Sequence, residues 1–445
     1  MTQNFLDQNP DIRAVHTVTA DLNGQARGKR LPRRFSGGLY SGETRFPYSA
    51  LNLDIFGEDI EDSPLVFETG DADGLLRPTE RGFIPAPWLE TPTALLPMWM
   101  YHPDGNPYLG DPRHALAAVL DRYTALGFTP VVATELEFYL IDDSGGHIQP
   151  PKSPKSGKRS TGSEILSQRP LDEFDVFFTE VYDACQIMDI PANAAISEAG
   201  PGQFEIDLSH QPDALKAADD AFFFKQLVSG LARKYGFGAT FMAKPYSESS
   251  GNGLHTHFSV LDKDGNNIFS DGGSAGSDAL RHAVAGCLSM MQSSTIIFAP
   301  HANSFARLVP DAHAPTGVAW AYDNRTAAVR VPSGSPVSRR IEHRVAGGDC
   351  NPYLLLTVVL GAALDGMERQ ATSPDPITGS AYSLNLDQIP NTWETALELF
   401  ANDPQMGRIL PNQLIENLVM TKRQEIRRIS ELPTDEQTKV YLNTL

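Results

Sequence analysis

Side chains on a β-strand point alternately to its two faces. As a strand, the run VVATELEFYL (131–140) therefore puts Glu135, Glu137 and Tyr139 on one face and Leu136, Phe138 and Leu140 on the other. Four more runs divide in the same way. GQFEIDL sets Gln203, Glu205 and Asp207 against Phe204, Ile206 and Leu208, with Glu198 seven residues before Glu205. GNGLHTHFSV enters through two glycines and sets His255, His257 and Ser259 against Leu254, Thr256, Phe258 and Val260. NRTAAVRVP opposes Arg330 to Val329 and Val331, with Arg325 at its entrance, and RRIEHRV sets Arg340, Glu342 and Arg344 against Ile341, His343 and Val345. An antiparallel sheet with one solvated face alternates in this manner. Solvated faces usually mix Thr, Ser, Lys and Gln, however, whereas these carry Glu, His and Arg almost alone. The five strands are therefore predicted to turn their charged faces into a common cavity.

Such convergence would bring Glu135, Glu137, Glu198, Glu205 and Glu342 together with His255. Carboxylates that close repel one another and take up protons unless cations neutralise them. Oxygen donors with a single imidazole and no thiolate favour Mg²⁺ or Mn²⁺ over zinc, and more than one ion is needed to balance the charge. Guanidinium forks suit the oxygens of a polyphosphate and of a carboxylate substrate. A metal-bridged nucleotide beside a carboxylic acid points to phosphoryl transfer onto that acid.

The rest of the chain bounds this reading. At 445 residues it exceeds one compact core, so a small and a large domain are expected. A net charge of −19 argues against nucleic acid or an anionic membrane as partner and suits a cationic substrate. The start, MTQNFLDQNPDI, lacks the basic and apolar regions of a secretory signal, which predicts a cytoplasmic protein. The longest apolar run, Tyr353 to Leu364, is too short to cross a bilayer and follows an Asn-Pro helix start, so it reads as a core helix. Cys185, Cys287 and Cys350 have no paired spacing and read as buried, reduced side chains.

The first hundred residues are broken by turn signals and predict short strands in a separate domain, 1–105. Asp111 and Pro112 open a helix that Gly127 stops and that begins the second domain, 106–445. Further helices are predicted at 171–188, 211–235, 277–293, 351–368, 391–401 and 412–430, and the Pro, Gly, Ser and Lys rich stretch 141–163 as a mobile surface loop.

The segments TELEF, SEAGPGQFEI, KPYSESSGNGLHTHFS, NSFARLVP with a following AP, NRTAAVRVP and RRIEHR with NPYL occur in the order and rough spacing of the glutamine synthetase superfamily. The chain resembles that superfamily from about Glu135 to Leu354. The resemblance implies an α+β fold, with an N-terminal β-grasp domain and a catalytic domain whose curved antiparallel sheet, flanked by helices, surrounds two or three Mg²⁺ or Mn²⁺ ions. It also implies ATP as cosubstrate and a ring-shaped homo-oligomer, commonly a dodecamer of two hexamers with sites between subunits. By position in these motifs, Glu137, Glu198 and Glu205 look like ligands of one ion, and Glu135, His255 and Glu342 like ligands of the nucleotide-side ion. Gly251 looks like the backbone that grips glutamate, with Arg307 and Arg344 at its carboxylates. Ser250 stands where the family pattern has an Asn. Arg325 and Arg330 match arginines on the transferring phosphate; His257, Ser259, Arg340 and His210 fall where the family contacts ATP. The implied chemistry is activation of glutamate's γ-carboxylate as an acyl phosphate, followed by attack of an amine.

Two departures bear on the amine. Ammonia-using members resemble one another in an Asp of a DGSS-like segment and a Glu of a GYEAP-like loop; here the loop reads PDAHAP, with His313 at the Glu position, and the first domain has LNLDIFGEDIED with no DGSS. An imidazole, with an ordinary pKa of about 6.5, accepts a proton from an amine but is a poor electrostatic trap for ammonium. The pattern resembles the branches that join glutamate to organic amines, a polyamine such as putrescine first, with methylamine, another monoamine or ammonia as alternatives. Asp54, Glu58, Asp59, Glu61 and Asp62 would hold a diamine's distal ammonium if that segment reaches a neighbouring subunit's site, and otherwise form a solvated loop. A guanidino kinase lacks this Glu and His set, and a non-catalytic relative would not keep all six expected ligands.

Overall fold

The computed structural model describes residues 2–145 and 147–445, with side chains from Phe5 onward. Its first sheet contains β1 (Ala14–Ala20), β2 (Ala26–Arg27), β3 (Arg30–Pro32), β4 (Arg45–Pro47), β5 (Asp73–Pro78), β6 (Ile84–Pro85) and β7 (Thr93–Tyr101), with short helices α1 (Thr2–Gln8) and α2 (Pro64–Phe67) beside it. β1 and β7 pair in parallel, Ala14 opposite Thr93. A parallel pair needs a long connection, and β2 to β6 lie within it. The sheet curls round its own apolar cluster, which includes Leu39, Phe46, Leu96, Met98 and Tyr108.

The second sheet contains β8 (Thr129–Ile141), β9 (Ala192–Ser197), β10 (Gln203–Gln211), β11 (Gly238–Thr240), β12 (Leu254–Leu261), β13 (Trp320–Tyr322), β14 (Val329–Val331) and β15 (Ile341–His343). Their order is β13-β14-β15-β12-β8-β10-β9, with β11 also on β8. Among the described residues of this sheet, only β13 and β14 pair in parallel. Among the described residues ten α-helices accompany it: α3 (Pro112–Ala125), α4 (Gln168–Glu173), α5 (Asp175–Ile187), α6 (Ala214–Lys234), α7 (Asp278–Ser289), α8 (Thr295–Phe298), α9 (Pro352–Glu368), α10 (Trp393–Asn402), α11 (Asn412–Ser430) and α12 (Thr434–Thr444).

The apolar face of the sheet makes the core. Leu136, Phe138, Phe204, Ile206, Leu254 and Phe258 are all fully buried, and α3 and α6 pack on β8 with α9 behind them. Burying each such side chain contributes about 1.5–3 kcal/mol. α9 is buried from Pro352 to Gly366 and starts as the sequence predicts, with the Asn351 side chain accepting from the Tyr353 and Leu354 amides. All three cysteines are buried and unpaired. Among the described residues, no helix is long and apolar enough to cross a membrane.

Several boundaries differ from expectation. The predicted 171–188 helix is interrupted at Phe174 between α4 and α5. α6 begins at Ala214 rather than 211, because β10 runs to Gln211 and the Asp213 carboxylate caps by accepting from the Lys216 amide. α7 ends at Ser289, short of residue 293. α12 was not predicted: it docks through the Tyr441 hydroxyl, which accepts from the Ala302 amide at 3.3 Å, and through the Leu445 carbonyl, which accepts from the Phe241 amide at 3.0 Å. Apart from Gly146, which lies outside the described residues, the 141–163 stretch is tied back by bridges Asp142–Gln149 and Lys152–Arg159 and by Arg159 on Asp142 at 2.6 Å.

In the acidic 54–62 segment Glu58, Asp59, Glu61 and Asp62 are exposed, as in a solvated loop, and Asp54 anchors them. Asp54 is wholly buried. One of its oxygens accepts from the Phe56 and Glu58 amides, both at 3.0 Å, and the other accepts from Gln424 at 2.9 Å and Arg428 at 2.6 Å, both on α11. Arg428 also pairs with Glu58 and Arg427 with Glu61.

Candidate active site

Strand register decides which side chains meet. β10 sets Glu205 opposite Glu137 and Asp207 opposite Glu135; β12 sets His255 opposite Glu135; β15 sets Glu342 opposite His257; and β14 sets Arg330 opposite Glu342. Directly opposed residues share a face. The five charged faces therefore do converge.

Glu135 is the hub. One oxygen lies 2.6 Å from His257 Nε2 and the other 3.0 Å from His255 Nδ1. Arg340 Nε donates to His257 Nδ1 at 3.2 Å, so His257 presents its Nε2 hydrogen to Glu135. Glu342 is buried between Arg330, at 2.7 Å, and Arg344. Arg330 is held on its other side by Asp323 at 2.6 Å. Glu137 accepts from the Gly253 amide at 2.7 Å.

The glycines ahead of the histidines are required by close approach. A Cβ on Gly253 would lie 2.8 Å from Arg307 Nη2 and 3.0 Å from His255 Nε2, and one on Gly251 would lie 2.5 Å from the Ala243 carbonyl. The Gly251 carbonyl accepts from Gln203 Nε2 at 3.0 Å and the Ser250 carbonyl from the Tyr139 hydroxyl at 2.7 Å. Arg307 is buried, with Nη1 donating to the Val345 carbonyl at 2.7 Å. Arg344 Nε donates to the Arg325 carbonyl at 3.2 Å. The Arg325 guanidinium is exposed and acts on Glu198. Ser259 faces Val131 further along β12, and the His210 ring sits 6.1 Å from that of His257. His313 lies apart from the hub on an exposed loop, with φ +60°.

The electrostatics are those of a cation site. Burial, with the charges of Glu137, Glu135, Asp207 and Glu198, pushes Glu205 far up. Burial and Glu137 push Glu198 up to about 7, and burial and Glu135 push Asp207 up to about 6. Burial also acts against ionised Glu135 and Glu342, but the two histidines hold the first well below the ordinary carboxylate range and Arg344 lowers the second. Crowded carboxyls left to take up protons are the signature of a missing positive charge. Ligand atoms of Glu135, Glu205 and His255 lie within 4.8 Å of one another, as do those of Glu135, His257 and Glu342. Oxygen-rich sets with one imidazole each suit Mg²⁺ or Mn²⁺. The motif positions divide the ligands differently, Glu137, Glu198 and Glu205 against Glu135, His255 and Glu342; the geometry shares Glu135 between two groups and adds His257.

Four contributors had no role assigned from sequence. Gln203, Asp207 and Tyr139 were legible only as members of the charged faces, and Asp323, on a turn, carries no periodic signal at all.

The buried carboxylate and histidine hub on a curved antiparallel sheet, rimmed by arginines, defines the class of protein. Residues 109–441 match the family described as glutamine synthetase, catalytic domain, and the chain belongs to it: an ATP-dependent ligase that joins glutamate to ammonia or an amine. It is 34% identical over 454 residues to γ-glutamylputrescine synthetase PuuA of Escherichia coli (strain K12), with 99% of this chain and 94% of that protein aligned. It is 33% identical to a glutamine synthetase of Thermus thermophilus, over 93% and 92% of the two chains, and 31% identical to γ-glutamylethanolamide synthetase GlnA4 of Streptomyces coelicolor, over 96% and 91%. The structure of a GmaS–ADP complex superposes with a TM-score of 0.83 at 27% identity, covering 99% of both chains.

Proposed function

We propose that this ligase joins the γ-carboxylate of glutamate to an organic amine, a polyamine such as putrescine first, through a γ-glutamyl phosphate. The observation that carries the choice of amine is His313, an imidazole on an exposed loop where ammonia-using relatives place a carboxylate. The 34% identity to a γ-glutamylputrescine synthetase supports it. Asp54 has no part in it, since its carboxylate is consumed by α11.

Gly251 and Ser250 would hold glutamate by backbone, with Arg307 and Arg344 facing its carboxylates. Glu137, Glu198 and Glu205 would ligate one divalent cation and Glu135, His255 and Glu342 another, with Glu135 within reach of both. His257, Ser259, Arg340 and His210 would line the nucleotide. Bound cations supply charge neutralisation for the polyphosphate and the moving phosphoryl oxygens. The γ-carboxylate oxygen attacks the terminal phosphorus and ADP leaves; Arg330, braced by Asp323, and Arg325 offset charge on the transferring group. The amine nitrogen then attacks the acyl carbon, phosphate leaves, and His313 takes the amine proton. We also assign domain boundaries at 105/106 and assembly as a dodecamer of two rings, which native mass measurement would test.

The decisive experiment supplies glutamate, ATP and Mg²⁺ with ammonia, methylamine, ethanolamine, putrescine or spermidine in parallel, and follows phosphate release and product mass. A γ-glutamyl product from putrescine or spermidine, with almost none from ammonia, is expected. Preference for ammonia would overturn the choice of amine, and unchanged turnover in His313→Ala would remove that residue's role.

A further inference from the structure

Residues 374–389 contain only one 3-10 turn at Ala381–Ser383 and an isolated bridge from Gln388 to Gly317, yet they bond to two further loops. The Tyr382 hydroxyl donates to the Ala314 carbonyl at 2.9 Å, next to His313. The Ala381 amide donates to Thr326 Oγ1 at 2.8 Å, next to Arg325. Thr326 Oγ1 in turn donates to Asn324 Oδ1 at 2.7 Å, and Asn324 Nδ2 donates to the Gly379 carbonyl at 2.7 Å. Two adjacent residues thus grip both the loop that carries His313 and the turn that carries Arg325.

The gripped loop needs a tie. Asp311 and His313 both adopt left-handed backbone, with φ of +62° and +60°. Side chains other than glycine persist there only where the surroundings hold them. Inside the loop the amide bonds are Val309 to the Arg307 carbonyl at 2.9 Å and Ala312 to the Val309 carbonyl at 3.4 Å, both before His313. After it, Tyr382 provides the one side-chain bond to 309–316 among the described residues. The Ile389 amide closes the far end on the Thr316 carbonyl at 2.8 Å. Tyr382 is half-buried, and Arg344, Asp311 and Arg307 all act on its hydroxyl.

We propose that Tyr382 is a positioning residue for the amine: with Ala381 it forms a clasp that fixes where the His313 loop stands relative to the Arg325 turn, and so the wall against which the amine binds. The clasp rests on the reading of His313 as part of the amine site. A hydroxyl that acted only on stability would not distinguish among substrates.

The test is Tyr382→Phe, which keeps the ring and removes the bond, assayed in the full-length protein with its best amine. Loss of one such hydrogen bond is expected to raise KM for the amine about tenfold, with kcat at saturating amine and KM for ATP and glutamate within about twofold of the parent. Amide hydrogen exchange should quicken across 309–316 and stay unchanged in α9. Thr326→Val, which breaks the other half, should instead lower kcat several-fold. A kcat loss in Tyr382→Phe with every KM unchanged, or exchange unaltered at 309–316, overturns the clasp. The exchange measurement does not depend on which amine is used, so a parent enzyme that prefers ammonia would sink the choice of amine while faster exchange at 309–316 still upheld the clasp.

Discussion

Glu135 touches His255 and His257 and belongs to both groups of candidate ligands. Glu135→Ala is expected to lower amine-dependent phosphate release by at least about 100-fold; a variant with a tenth or more of parental activity would contradict its central place. Gly253 contributes by lacking a side chain. Gly253→Ala would press a methyl onto Arg307 and His255, and overpacking of this kind costs about 1–3 kcal/mol, readable as a lower urea midpoint. Glu198, raised to about 7, and Glu205, raised further, retain protons near neutrality in the metal-free protein. A divalent cation favours their ionised forms, so Mg²⁺ binding at pH 7 should release protons and should weaken as pH falls. Calorimetry in buffers of different ionisation enthalpy would show this, and buffer-independent heats would exclude these carboxyls as ligands.

Among elements, the charged faces of β8, β10, β12, β14 and β15 were legible because a period of two needs no knowledge of distant residues. Their mutual register was not, since it depends on pairing across more than a hundred residues of sequence, as for Glu135 and His255. β11 and β13 carry no charged side chain that would mark a face. α12 escaped notice because its apolar residues, Val440, Tyr441 and Leu442, fall together near its end and form no helical stripe along it. The burial of Asp54 within the acidic segment was not legible for a related reason: its counter-charge, Arg428, lies on α11. Arg428→Ala would leave buried Asp54 with Gln424 alone on one oxygen, and a loss of about 1–3 kcal/mol in urea unfolding is expected. No change in midpoint would mean that the pair holds nothing together.

On the scale of the whole molecule, the two sheets are joined by buried charge as well as by apolar contact. Arg81, between β5 and β6, meets Asp220 of α6 at 2.5 Å, with both side chains largely buried. Arg113 of α3 forks onto Asp219 and stacks over Trp99 of β7, and the Tyr353 hydroxyl of α9 donates to the same Asp219. Arg81→Met would leave buried Asp220 with Lys216 at 3.0 Å and Gln211 at 2.6 Å on its other oxygen, and a loss of about 1–3 kcal/mol is expected. Trp99 lies in the first sheet and Trp320 in the second, so fluorescence reports both. If the joint couples them, the parent protein unfolds in one transition; two separate transitions would show the sheets to be independent. A last consequence lies in β8, where Leu136, Phe138 and Leu140 alternate with Glu135, Glu137 and Tyr139. Removing a single residue from the middle of that strand would reverse every later side chain, sending carboxylates into the core and aromatic rings into the cavity. Stability and chemistry are written on alternate letters of one word, so descendants of this chain can diverge there by replacing letters but not by losing one.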